Sequence, residues 1–180
     1  MEVIIIFAIL FLVILCLSLF FLLNYNHFQE YIIRINEAEA NIDSVLRKRF
    51  DLLNKSTDFI HEVTEEEQAL PTVINLRSQK LSNIELDKQL YPAIEEFQSY
   101  ADKYEKLKEN EGYVKTQINL MESESEIVAL RKYYNDITKE YNKLVISFPS
   151  RIVAILKKYQ KKELYEERKE KKSILEELKA

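Results

Sequence analysis

The side chains in this sequence that could do chemistry are two histidines, one cysteine and a surplus of carboxylates. A carboxylate-bridged two-metal bundle needs two Glu-x-x-His elements on facing helices, and the sequence offers Asp58-Phe59-Ile60-His61 once. His61 and Glu65 would share a helix face at i and i+4, but one such pair is a common surface arrangement, and His27 brings no second ligand set. Glu65, Glu66, Glu67 and Glu122, Glu124, Glu126 are abundant carboxylates. Paired acid and base work needs two of them across a cleft, in environments that push their pKa values apart; on a slender helical body these runs read as solvated faces. Cys16 lies inside an apolar run and has no partner for a disulfide, so it reads as a small packing residue. Without a thiol outside that run or a Gly-x-Ser-x-Gly elbow, covalent hydrolysis has no visible basis. No catalytic residue, metal site or cofactor is assigned, and the chain reads as a non-enzyme.

The elements that carry these residues must be helices. Among 180 residues, 31% are charged while Gly occurs once and Pro three times, so helix breakers are nearly absent and helix formers dominate. From Val3 through Leu12 to Leu23 the chain runs 21 residues without a charge. As a helix this spans about 30 Å, the thickness of a bilayer's hydrocarbon core, and each Leu, Ile, Val or Phe near its centre favours insertion by roughly 0.3 to 0.6 kcal/mol. The run has no basic n-region and exits into Asn24, Tyr25, Asn26, His27 without a small-x-small pattern, which argues against a cleaved signal peptide. A single-pass anchor over residues 1–24 is expected. Arg34 is the only Lys or Arg within twenty residues after the span, the Arg47, Lys48, Arg49 cluster falls just outside, and none precedes it; this asymmetry places the domain in the cytoplasm and the N-terminus outside.

After the anchor, Ile32, Ile33, Ile35, Ala38, Ile42, Val45 and Leu46 recur at three- and four-residue steps, so the spanning helix should run on into an amphipathic one without a linker. Breaks are expected at the polar patch Asn54, Lys55, Ser56, Thr57, at a capping box of Ser82 with Glu85, and at Asn110 before Gly112. Four helices of roughly 25 to 30 residues fit between these points. Pro71 should kink the second, Pro92 start or kink the third, and Phe148-Pro149 end the fourth. The expected architecture is all-α: a transmembrane helix, then an antiparallel four-helix bundle over residues 25–155, then a charged, partly helical tail over 156–180.

From Tyr113 the positions Gln117, Leu120, Glu124, Ile127, Arg131, Tyr134, Thr138, Tyr141, Val145 and Phe148 alternate four- and three-residue steps, a heptad-like stripe of coiled-coil type along one helix face. The stripe predicts a bundle core, and Glu124 and Arg131 interrupt it. An ionised group there needs a partner to offset several kcal/mol of desolvation. The expected partners are Arg49 or Arg77 for Glu124 and a glutamate of the first or second helix for Arg131.

These residues also carry a resemblance. Tyr104, Leu107, Lys108, Asn110, Glu111 and Tyr113, then Gln117, Glu124, Ile127, Arg131, the pairs Tyr134-Asn135 and Tyr141-Asn142, and Phe148-Pro149 resemble the C-terminal signature of the LemA family. Tyr25-Asn26, Glu37-Ala38, Arg49 with Asp51-Leu52, and Arg77 resemble its N-terminal half, so the likeness covers roughly residues 24 to 155. Glu105 and Asn54-Lys55 depart from the family's usual prolines. The resemblance implies an anchored four-helix bundle with a short N-terminus outside and the domain inside. It implies no reaction.

Charge narrows the partners. Residues 1–150 hold 16 Lys and Arg against 24 Asp and Glu, and residues 151–180 hold 10 against 6. An acidic body without a basic stripe excludes the broad footprint of a nucleic-acid binder. The tail Lys157–Lys172 mixes basic clusters with glutamates; it reads as a solvated extension, with loose contact to anionic headgroups as the alternative. The expected function is a membrane-anchored scaffold or adaptor that meets protein partners through exposed aromatic and charged positions, or else a self-associating homo-oligomer that organises a membrane patch.

Overall fold

The computed structural model describes residues 1–65, 69–76 and 79–166, and every regular element among them is a helix. α1 runs without interruption from Glu2 to Thr64, about 95 Å at the α-helical rise. Neither Gly nor Pro occurs within it. The break expected at Asn54–Thr57 does not form: Ser56 Oγ donates to Leu53 O and Thr57 Oγ1 to Asn54 O, so the hydroxyls are satisfied by the helix's own carbonyls rather than competing with it. The anchor residues Val3, Leu12 and Leu23 are all exposed, and α1 is long and apolar enough to cross a membrane. Its buried positions begin at Phe28 and continue through Ile35, Ala38, Ile42, Val45 and Leu46.

α2 is one short helix, Pro71–Leu76. Pro71 begins it rather than kinking a longer one, as suits a residue whose missing N–H would be unpaired in a first turn anyway. α3 spans Asn83–Lys103 with Ser82 as its N-cap, accepting from Glu85 N. Pro92 lies inside α3, where it deprives the Lys88 carbonyl of its helical donor. A 3₁₀ turn over Glu105–Glu109 leads to α4, Glu111–Ile146. Asn110 caps α4 by accepting from Tyr113 N. A Cβ at Gly112 would meet Asn110 Oδ1 at 3.1 Å and Phe59 Cδ1 at 3.2 Å, so a side chain there would crowd the Phe59 ring of α1. α4 stops ahead of Phe148-Pro149, and α5 follows over Ser150–Lys157.

The core lies where α1 meets α4 and α3. Of the tail expected to be helical over 156–180, residues 159–166 form no helix, and Tyr165 within them is buried, while residues 167–180 lie outside the described residues. The turn into this segment is made at Lys158 (φ 57°), with Tyr159 N donating to Ala154 O. That closes α5 with the left-handed residue usually supplied by glycine.

Candidate functional site

Two ion pairs lie across the helix contacts. The stepping along α4 does turn Tyr113, Leu120, Ile127, Arg131, Tyr134, Thr138 and Tyr141 inward, while Gln117, Glu124 and Val145 are partly exposed and Phe148 is exposed. Arg49 on α1 donates through Nη2 to Glu124. The Arg49 side chain is 4% exposed and that of Glu124 47%, so Glu124 is a rim carboxylate reaching inward rather than a buried charge. Arg131 donates through Nη2 to Asp87 on α3, both of them buried. Its partner is therefore an aspartate of α3, not a glutamate of the first or second helix. Burial lowers the pKa of Arg49, and the Glu124 carboxylate acts against that. Arg77 lies outside the described residues.

Asp87 was legible by the same signal as Arg131: with Leu90, Ile94 and Phe97 it falls on three- and four-residue steps, a charge interrupting an apolar face.

The Tyr-Asn pairs build the second feature. Asn142 Nδ2 donates to Lys162 O and its Oδ1 accepts from Lys162 N, both at 2.8 Å. Asn135 does the same with Tyr165, Nδ2 to the carbonyl and Oδ1 from the amide, both at 2.9 Å. A carboxamide carries a donor and an acceptor side by side, the complement of a peptide's own C=O and N–H. Seven residues of α4 separate the two asparagines, about 10.5 Å along one helix face, and three extended residues separate Lys162 from Tyr165, about 10 Å. The matched lengths let one helix face hold an extended chain by its backbone, as a neighbouring strand would.

Side chains complete the groove. Tyr134 donates to Glu163 O at 3.1 Å and stands edge-on to the Tyr165 ring. Lys162 Nζ lies 2.8 Å from Glu39 on α1, and Lys88 on α3 pairs with Glu166 at 3.2 Å. At the other end Gln29 donates to the Tyr159 hydroxyl at 2.7 Å, and the Tyr159 ring packs on Phe28, which also meets Tyr141. Burial pushes the Tyr134 phenol up to about 12, helped by Glu39, and pushes Tyr165 up as well. Among the motif residues, Tyr134, Asn135, Tyr141 and Asn142 converge here, whereas Phe148 and Pro149 stand at the corner between α4 and α5. Lys162 and Tyr165 were missed in the sequence because a segment held by side-chain amides has no periodicity of its own.

Among the described residues no three His, Cys, Asp or Glu side chains are grouped to hold a metal ion. His61 and Glu65 lie at the exposed end of α1. The site holds the chain's own segment by its backbone.

No curated protein matches the chain. A family model does: the LemA family model matches residues 38–176, which takes in the whole clamped segment and continues past residue 155, where the likeness read from the sequence ended.

Proposed function

Since the chain belongs to the LemA family, we propose that it works without catalysis, as a single-pass membrane-anchored scaffold or adaptor whose body is an antiparallel helical bundle on the cytoplasmic side. The opposed pairings Phe28 with Tyr141 and Arg49 with Glu124 support the antiparallel reading, since positions rise along α1 as they fall along α4. The uninterrupted α1 supports a stiff stalk rather than a tether. One observation carries the protein-binding role: Asn135 and Asn142 hold an extended chain through its main chain. Main-chain hydrogen bonds supply affinity in extended-peptide recognition while flanking pockets supply selectivity. Here the Tyr165 pocket and Glu39 select an aromatic residue three places after a lysine. The chain's own segment 159–166 occupies the groove, and its short covalent connection gives it a high effective concentration.

The test uses the full-length protein in detergent, with Tyr165→Ala to weaken the internal occupant. A fluorescent peptide of the sequence 159–166 should bind it saturably and bind the unaltered chain more weakly. Adding Asn142→Leu to the Tyr165→Ala chain should abolish binding. No saturable binding by a Tyr165→Ala chain of unchanged helicity would make the segment a fixed part of the fold and remove the adaptor's binding surface.

Self-association is the second reading, favoured because the segment leaves α5 through a single turn at Lys158 and could be exchanged between copies. Concentration-dependent oligomers that vanish with Asn135→Leu support exchange.

A further inference from the structure

The groove uses α5 as its approach but leaves the outer face of that helix unexplained. Val153 and Ala154 pack inward, while Ile152, Ile155 and Leu156 are exposed, and next to them Ile146 and Phe148 are exposed too, Phe148 at 83%. Isolated exposed hydrophobics need no explanation, but five at one corner form a patch of the kind that marks an interaction surface.

Where that corner lies follows from the helix contacts. Phe28 of α1 packs on Tyr141 of α4. The two helices run in opposite directions with the same rise per residue, so five residues further along α4 its last residue, Ile146, comes level with Leu23, at the end of the apolar run, and Phe148 follows just after it. The corner is tied there directly: Lys157 Nζ stands 4.9 Å from the Tyr25 ring centroid and 6.0 Å from that of Phe21. The patch is therefore level with the boundary between the apolar run and the body, where aromatic rings gather at a bilayer surface.

Along the stretch of chain that carries the patch the charge has one sign. From Tyr141 to Lys162 the chain holds six Lys and Arg and no Asp or Glu, although the body as a whole is acidic. Arg151, Lys157 and Lys158 are exposed beside the apolar side chains.

We propose that the α4–α5 corner is a second membrane contact, in which Phe148, Ile152, Ile155 and Leu156 bed into the headgroup and upper acyl region while Arg151, Lys157 and Lys158 meet anionic lipid headgroups. A short amphipathic helix with basic flanks lies in the interface plane for this reason: its apolar face leaves water and its cations gain from the surface potential. The contact fixes the stalk at a second point, so the body is held against the membrane rather than swivelling about a single helix. It rests on the anchor reading, because the level of the patch is set by where α1 enters the bilayer.

Cys16, the chain's only cysteine and exposed in the middle of the apolar run, lets one experiment separate the two claims. Full-length protein is placed in vesicles of phosphatidylcholine with an added anionic phospholipid. An environment-sensitive dye is attached at native Cys16, or in a Cys16→Ala background at Ile155→Cys, Leu156→Cys or Ser125→Cys, and spin-labelled lipids quench it from known depths. The Ile155 and Leu156 probes should emit blue-shifted light and be quenched by shallow spin labels. Ser125, exposed far up α4, should be quenched by none. Quenching at Cys16 but not at Ile155 or Leu156 overturns the corner contact and leaves the anchor standing, including where those probes are blue-shifted because protein covers them. Absence of quenching at Cys16 overturns the anchor itself. Phe148→Ser with Leu156→Ser, at unchanged helicity, should lessen quenching at Ile155; unchanged quenching there also overturns the proposal.

Discussion

Arg131 and Asp87 are both buried, and their ion pair offsets much of the cost of taking the two charges out of water. Arg131→Ala takes the hydrogen-bonded guanidinium away from the buried Asp87 carboxylate and should destabilise by about 3 to 5 kcal/mol, enough to threaten a domain of ordinary stability. Glu124→Ala strands Arg49, but its carboxylate was half in water already, so about 1 to 3 kcal/mol is expected. Glu122, exposed and off the stripe, should matter by less than about 0.5 kcal/mol when changed to Ala. Denaturant midpoints should fall in that order, and three equal midpoints would contradict the assignment of the inward face. Tyrosines add a pH effect. Burial holds the phenols of Tyr113 and Tyr134 up at about 12, above the ordinary value near 10. Raised folded values mean that their contribution is complete below about pH 10 and is lost as pH climbs through about 12. An alkaline titration followed by tyrosinate absorbance should show a late fraction of the 11 tyrosines ionising as helix is lost. Ionisation of every tyrosine with the helix signal intact would count against those burials.

At the scale of elements, what was legible in the sequence is what local periodicity encodes. The apolar run, the inward stripe of α4, the Ser82 and Asn110 caps and the stop at Phe148-Pro149 all follow from spacing or from a residue's own backbone chemistry. Charges that interrupt a stripe were legible in part: the inward turn of Arg131 follows from one face of one helix, whereas Arg49 was one of two expected partners for Glu124, whose carboxylate stands at the rim. The missed features depend on partners. Asn54–Thr57 carries turn-forming residue types, yet the hydroxyls of Ser56 and Thr57 are absorbed by α1, and tertiary packing of Leu53 and Ile60 keeps the helix going. The extended segment is ordered by Asn135 and Asn142, which lie some thirty and twenty residues back in the chain. Its stability should follow them. Asn135→Ala or Asn142→Ala removes two hydrogen bonds to an otherwise irregular strand, a loss of about 1 to 3 kcal/mol locally. Tryptic cleavage after Lys161 and Lys162 should then accelerate by roughly tenfold or more while global melting moves little. Unchanged cleavage would mean that the side-chain contacts of Tyr159 and Tyr165 alone hold the segment.

For the whole molecule, the decisive property is that one helix belongs to two environments. Residues of α1 before Phe20 are all exposed, and its buried positions begin at Phe28 and run on to Ile60, packing chiefly against α4 and α3. Of the apolar run only Phe20 and Phe21 pack against the core, at its edge, so the core should need little from lipid. A chain beginning at Asn24 keeps Tyr25, Phe28 and all later contacts, so it should be strongly helical in circular dichroism. Because only the partly buried rings of Phe20 and Phe21 are removed from the edge of the core, its stability should lie within about 2 kcal/mol of that of the full chain in mild detergent. The full chain should meanwhile stay with membranes through an alkaline carbonate wash, since an apolar helix spanning about 30 Å is not released by removing surface charge interactions. The two measurements discriminate between ways of being wrong. Release of the full chain by carbonate would demote the run from a spanning anchor to a peripheral one. A shortened chain without helical signal would instead show that the body folds only when the lipid-borne end of α1 holds it in place, and the division of α1 at Phe28 would have to be abandoned.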